Sequence, residues 1–221
     1  MNSDHLTKPL VEGLVYAPIY KKAALMQSGK PATGKNPLEE SYDREFGPAD
    51  VAIALKKNPD LQAVGLFTGI RGKGVVILDV DKNLKKLLKV WGNTLEDAPK
   101  VTSPKKNAAK YIFRIPENLW GEVKGHGLRE EYGGEYEILW NNSRQGVITG
   151  AYPGHSRSNT PAGHYLLNGD LASIPEAPAW LIAEMKAPPR TNQNRKDLDF
   201  TDRTDDEIIQ IIGDCLTVIP H

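Results

Sequence analysis

Two aspartates separated by one residue, Asp79 and Asp81, directly follow an apolar run at residues 75–78. Four consecutive large apolar residues preceded by glycines predict a strand that is buried on both faces. Side chains alternate along a strand, so both carboxylates point to one side, with their Cα atoms about 7 Å apart. A divalent cation such as Mg²⁺ or Mn²⁺ would relieve their repulsion and lost hydration. The alternative is an acidic turn in which one aspartate caps a helix that begins near Leu84.

A third carboxylate, Glu137, lies inside a strand predicted at residues 136–140, whose other members are Tyr, Ile, Leu and Trp. A carboxylate in such a strand must face solvent, a cation or a base. Three carboxylates around two metal ions are the arrangement used for in-line nucleotidyl transfer. The alternative for Glu137 is simply the polar face of an edge strand.

Two antiparallel hairpins are predicted, and their placement decides whether the three carboxylates meet. One hairpin joins a strand at residues 63–68 to the strand at 75–81, and the other joins 136–140 to 146–150. If the two hairpins lie side by side in one sheet, the three carboxylates converge.

Cationic side chains next to these strands are candidates for binding phosphate. Lys110 lies on a strand predicted at residues 109–115, and Arg144 closes the turn that follows Glu137. Arginine suits bidentate contact with phosphate, and lysine a point-charge contact. Lone loop histidines are more often plain surface residues. Further candidates from the loops are Ser103, Lys105, Lys106, His155 and His164.

Composition excludes several classes of protein. The 221 residues include 28 Lys+Arg and 28 Asp+Glu, so the net charge is zero and a wholly basic nucleic-acid coat is excluded. The single cysteine, Cys215, excludes a disulfide framework and a cysteine-based zinc site. No apolar run approaches the length of a membrane span, so we expect an intracellular protein.

The chain divides into one large domain and a short C-terminal segment. We predict a domain at residues 1–187, a Pro/Asn/Arg-rich linker at 188–203, and at 204–221 the start of a helical extension. The apolar face of that last helix either belongs to a longer protein or folds back onto the domain. Helices are also predicted at residues 49–57, 84–91 and 179–186, and a strand at 14–20 that Pro18 restricts to an edge or a bulge.

These residues resemble the primase–polymerase domain of the archaeo-eukaryotic primase superfamily, in the branch found on phages, plasmids and mobile elements. The resemblance covers roughly residues 14–186. The family has a Thr-Gly pair before an apolar strand ending in Asp-x-Asp, then a Ser/Thr-Pro loop and strand, then an acid-bearing strand followed by an arginine. Here the first motif matches Thr68-Gly69 and residues 74–81. The second matches Thr102-Ser103-Pro104 and residues 111–114. The third matches Glu137, then Ser143-Arg144, residues 147–150 and Pro153-Gly154-His155.

One position departs from the family pattern. The histidine that binds the nucleotide triphosphate in the family falls on Lys110, and the glycines before it are Ala108 and Ala109. Lysine still binds phosphate but cannot reproduce the directed hydrogen bond of an imidazole.

The resemblance implies an α/β (α+β) fold, an archaeo-eukaryotic primase core with an RRM-like antiparallel sheet flanked by helices. It implies a DNA-dependent primase/polymerase that adds NTPs or dNTPs to a primer on a single-stranded DNA template. Asp79, Asp81 and Glu137 would hold two Mg²⁺ or Mn²⁺ ions. Nucleotide binding would fall to Ser103, Lys110, Arg144 and His155, and weak DNA binding to Lys105 and Lys106.

The setting implied is replication of a phage or mobile element in the cytoplasm of a prokaryotic host, with no membrane partner. A replicative helicase, in the same or a partner chain, is an expected associate. Two other functions remain open from the residues: a non-catalytic single-stranded DNA-binding module and a metal-dependent nuclease.

Overall fold

The computed structural model describes residues 4–154 and 160–187. Residues 1–187 form one compact unit. The predicted linker at 188–203, the predicted helix at 204–221 and Cys215 lie outside the described residues.

The fold is mixed α/β and is dominated by one large antiparallel sheet. Nine strands of the described residues are joined in the order β1-β2-β8-β9-β4-β5-β3-β7-β6, and every neighbouring pair is antiparallel. Their bounds are β1 Tyr16–Tyr20, β2 Leu61–Phe67, β3 Val75–Lys82, β4 Lys100–Thr102, β5 Ala109–Arg114, β6 His126–Glu131, β7 Gly134–Leu139, β8 Gln145–Tyr152 and β9 Gly163–Asn168. As the position of Pro18 predicts, β1 is an edge strand, because proline cannot donate to a second neighbour.

Helices cover the sheet and agree with the sequence pattern. The described residues contain five α-helices, which are α1 Asp4–Thr7, α2 Glu40–Asp43, α3 Pro48–Lys57, α4 Leu84–Trp91 and α5 Ala179–Lys186. The predictions for α3, α4 and α5 are confirmed, since each has a clear local signal. Pro48 opens α3, and α4 buries Leu84, Leu87 and Trp91 on one side. No helix among the described residues has the length and apolar content to cross a membrane.

Two hydrophobic cores lie on opposite faces of the central strand β3. Val75 and Ile77 belong to a first core with residues of β1, β2 and β8, whereas Val76 and Leu78 belong to a second core with α4 and α5. The predicted burial of β3 on both faces is therefore confirmed. A middle strand needs apolar side chains on both faces when each face is covered.

The sheet curls so that β8 lies over the inner face of β3. Three strands, β9, β4 and β5, separate β8 from β3 in the sheet order, yet a Cβ at Gly146 would lie 2.7 Å from Ile77 Cδ1. The bend is at β9, which pairs with β8 through Tyr165 and its preceding residues and with β4 through Leu166 and the residues after it. Part of the first core thus lies between two halves of one sheet, and residues of α1 and α3 complete it.

Both predicted hairpins are wrong. The strand β2 pairs with β1 and β8, and β3 pairs with β5 and β7, so the loop between β2 and β3 crosses from one half of the sheet to the other. The loop between β7 and β8 makes a second crossing, because β7 pairs with β3 and β6 while β8 pairs with β2 and β9. Local turn signals predict a change of direction but not which strand becomes the neighbour.

The two crossing loops are hydrogen-bonded to each other. The buried Thr68 hydroxyl donates to the carbonyls of Asn141 at 3.1 Å and Arg144 at 3.3 Å. The backbone N–H of Arg71 donates to Asn142 Oδ1 at 3.0 Å, and its guanidinium bonds carbonyls of α2 and the residue after it, including Tyr42 O at 2.7 Å. These contacts replace the hairpin hydrogen bonds that the sequence predicts.

We expect Gly150→Ala to destabilise the curled sheet. Gly150 has φ +99°, and an added Cβ would overlap the backbone of Gln62 and Ala63 on β2. The overlap and the strained backbone together should lower the free energy of unfolding by about 2–4 kcal/mol, measured by urea denaturation. The control is Gly121→Ala, where nothing lies within 4 Å of the added atom. Equal stability of the two variants would contradict this packing.

Candidate active site

On the face of β3 that carries Ile77 and Asp79, the side chains change from apolar to charged within two residues. Ile77 stands between Ile112 of β5 and Leu139 of β7, and all three belong to the first core. Two residues further along β3, Asp79 stands between Lys110 of β5 and Glu137 of β7. Side chains directly opposite one another across strands share a face. The site therefore begins where the first core ends.

Direct pairing of β3 with β7 brings Asp79 and Glu137 together. The two residues are register partners, so their side chains extend from the same face of neighbouring strands. Strand pairing, and not two hairpins lying side by side, thus sets Asp79 beside Glu137. Glu137 accepts a hydrogen bond from Arg144 Nη1 at 3.3 Å.

Asp81 lies at a register irregularity between β3 and β7, since Val80 faces Tyr136 and Lys82 faces Glu135. The irregularity leaves Asp81 without a partner in this strand pair. Its negative charge and that of Asp79 both act on the phenol of Tyr165 in β9. Both aspartates therefore lie near enough to Tyr165 for their charges to act on its phenol.

Lysines hold the two aspartates. Lys110 Nζ forms a hydrogen-bonded ion pair with Asp79, and Lys105 Nζ forms one with Asp81. The Asp79–Lys110 pair is the less accessible, with side chains 19% and 16% exposed. Lysines from two separate elements, the strand β5 and the loop before it, therefore converge on the carboxylates of β3.

The remaining predicted residues take different places. Ser103 Oγ accepts a hydrogen bond from the backbone N–H of Lys105 at 3.3 Å and so shapes the loop that carries this lysine. Lys106 is exposed on the same loop, and His164 is exposed on β9. His155 lies outside the described residues. The structure thus pairs Asp79 with Lys110 and sets it beside Glu137, pairs Glu137 with Arg144, and pairs Asp81 with Lys105.

Thr68 acts on the site through the backbone. Its N–H and hydroxyl both donate to the carbonyl of Arg144, at 3.1 and 3.3 Å. These bonds fix the start of β8, from which the Arg144 side chain reaches Glu137. Thr68 is 0% exposed, so it positions Arg144 and does not itself face solvent.

Tyr165 is a member of the site that sequence reasoning misses. The sequence predicts a short strand at residues 165–167 but no role for the phenol, because a tyrosine in a strand is typical of a core. The ring is 4% exposed and packs edge-on against Tyr152, with centroids 5.2 Å apart. Burial, followed by the charge of Asp79, raises the pKa of Tyr165 well above its usual range, so the phenol stays protonated.

The carboxylates supply the oxygen ligands that Mg²⁺ and Mn²⁺ prefer, and they extend from one face of adjoining strands. In the part of the chain that the structure describes, no three His, Cys, Asp or Glu side chains are grouped closely enough to hold a metal ion. Each carboxylate is instead paired with its own cation. The residue types fit a divalent ion, provided that the lysines can leave the aspartates.

We expect the free energy of unfolding to fall above about pH 10, where the unfolded chain begins to lose phenol protons. The pKa of Tyr165 is raised in the folded chain, so its contribution is fully present below the unfolded pKa and is lost as the pH rises toward the folded one. Tyr165→Phe should make this fall shallower, measured by urea denaturation between about pH 8 and about pH 11.

Tyr132→Phe is the control, because it removes a phenol from a side chain that is 38% exposed. An identical pH dependence in Tyr165→Phe and the parent protein would contradict the assignment.

Comparison with known proteins does not identify the chain. No protein-family model matches the sequence, and no curated protein matches it.

Proposed function

We propose that the chain is a primase–polymerase domain that carries out template-directed nucleotidyl transfer. The observation that supports this most directly is the pairing of β3 with β7, which sets Asp79 beside Glu137 with Asp81 two residues further on. In this proposal the central antiparallel strands and their helices are the RRM-like core of an archaeo-eukaryotic primase.

Asp79, Asp81 and Glu137 would hold Mg²⁺ or Mn²⁺ in this reaction. Such ions, when bound, activate the attacking 3′-hydroxyl and neutralise the pyrophosphate that leaves. The position of these carboxylates at the end of the first core suits this role. Apolar side chains on one side keep them fixed, and the exposed end of the strand admits the substrate.

The cations of the site would bind the triphosphate. Arg144 is 52% exposed, so its guanidinium can reach a phosphate without leaving a buried position. Lys110 would supply a point charge where the family has a histidine, and Ser103 a hydroxyl donor. His155 is proposed for the same pocket on the resemblance alone. The exposed Lys106 would contact the DNA strand, and Lys105, which is paired with Asp81, would reach a phosphate of the DNA or of the triphosphate.

The partners proposed are a single-stranded DNA template, its primer and NTPs or dNTPs. In this proposal the chain acts in replication of a phage or mobile element, in the cytoplasm of a prokaryotic host, with a replicative helicase.

We expect Asp79→Asn and Asp81→Asn each to lower primer extension by at least about a hundredfold, because each removes a charge that would hold the metal ions. The assay is incorporation of labelled dNTPs or NTPs, tested separately on a primed and an unprimed single-stranded template with Mg²⁺ or Mn²⁺. The control is Asp60→Asn, which breaks a surface ion pair with Lys21. Full activity in either variant would refute the metal assignment.

A second candidate function is a single-stranded DNA-binding module without catalysis. The neutralisation of every site carboxylate by its own cation favours it, since a purely structural ion-pair network would look the same. DNA binding without nucleotide incorporation under either metal would support this candidate. Degradation of a labelled strand without any need for triphosphate would indicate a nuclease instead.

A further inference from the structure

The acidic site carries its own counter-cations, one for each carboxylate. The pairs are Asp79 with Lys110, Asp81 with Lys105, and Glu137 with Arg144. The six charges sum to zero. A site that is already neutral attracts a free divalent ion much less than three bare carboxylates would.

The lysine pairs are less accessible than the surface pair of Lys186 with Glu122, although the Arg129–Glu184 pair is more buried than either. Lys110 and Lys105 are 16% and 24% exposed, whereas Lys186, which pairs with Glu122 on the surface, is 41% exposed. Charges held at low exposure interact more strongly, because water screens them less. The two lysines therefore interact with their aspartates more strongly than exposed surface lysines interact with their partners.

A lysine ammonium and a metal ion compete for the same aspartate oxygens. Lys110 Nζ bonds Asp79 Oδ2, and Lys105 Nζ bonds Asp81 Oδ1. A divalent ion bound to these oxygens would lie within a few ångströms of the ammonium group. Two positive charges at such distances repel each other strongly. Binding of the ion therefore requires the ammonium to move to another anion.

A nucleoside triphosphate supplies that anion. Two divalent ions bring about four positive charges and a triphosphate about four negative ones, so the site stays balanced when both arrive together. Either one alone leaves an uncompensated charge. Lysine has a flexible stem and three rotatable donors, which lets it exchange a carboxylate for a phosphate.

We propose that Lys110 and Lys105 are internal counter-cations that couple metal binding to triphosphate binding. Without substrate they hold Asp79 and Asp81; when the ions and the triphosphate bind, the ammonium groups transfer to the phosphates. This inference rests on the proposed nucleotide-binding function. It makes the affinity for metal depend on triphosphate, and the affinity for triphosphate depend equally on metal.

The test is a Mn²⁺ titration of the full 221-residue chain, by calorimetry or electron paramagnetic resonance, with and without a triphosphate analogue that cannot be cleaved between its α and β phosphates. In the parent protein the analogue should tighten Mn²⁺ binding by about tenfold or more, after correction for Mn²⁺ bound by the analogue itself. In Lys110→Met, Mn²⁺ alone should bind about tenfold tighter than in the parent. The effect of the analogue in this variant should fall to less than about threefold.

Three further variants separate charge from structure. Lys110→Arg keeps the charge, so its affinity for Mn²⁺ without the analogue should stay within about threefold of the parent's. Lys186→Met removes a lysine from a surface ion pair and is the matched control. Lys105→Met, on the loop, releases the second aspartate and should likewise tighten the binding of Mn²⁺ alone. It replaces Lys110→Met in the test if thermal melting shows that Lys110→Met does not fold.

The inference would be overturned if the folded lysine-to-methionine variants bind Mn²⁺ no more tightly than the parent does. It would also be overturned if neither the parent nor any variant binds Mn²⁺. Nucleotide incorporation by the parent with unchanged Mn²⁺ affinity in the variants would overturn the inference alone. The predicted coupling in a parent that incorporates no nucleotide would support the inference and refute the polymerase function. The two ideas can therefore fail separately.

Discussion

A carboxylate on a strand covered on both faces must reach solvent or a positive charge, and Asp79 is paired with Lys110. The inner face of the sheet is apolar through Ile77 and its two cross-strand neighbours, and the next row holds Lys110, Asp79 and Glu137. The same strand thus contributes to the core at one end and to a charged site at the other. The core fixes where the charges stand.

The curled sheet decides what faces this row. Because β9 pairs with β8 through one half and with β4 through the other, the β8 half folds over the β3 half and brings Tyr165 towards the aspartates. The two crossing loops lie on the other side of the charged row, where Thr68 donates hydrogen bonds to the carbonyl of Arg144. The cation that pairs with Glu137 is therefore positioned by a buried hydroxyl on the loop that follows β2.

Prediction from sequence succeeded for three helices and for the burial of β3, where the signal lies within one element. The period of Leu84, Leu87 and Trp91 predicted α4, and the run before Asp79 predicted a strand buried on both faces. Strand partners were predicted wrongly because hydrogen bonding between strands depends on residues far apart in the chain. Thr68 donates hydrogen bonds to two carbonyls that lie 73 and 76 positions further along the chain. No sequence signal near Thr68 indicates these partners.

The sequence by itself determined the chemistry that was available: three carboxylates in strand positions, basic residues near them, and elements whose periodicity shows which side chains are buried. The tertiary structure alone decided that Asp79 stands between Lys110 and Glu137, and that Tyr165 approaches the two aspartates. The physical reason is that periodicity reports the face on which a side chain lies. Which strands meet depends on how the two cores are enclosed, and that is a property of the whole sheet.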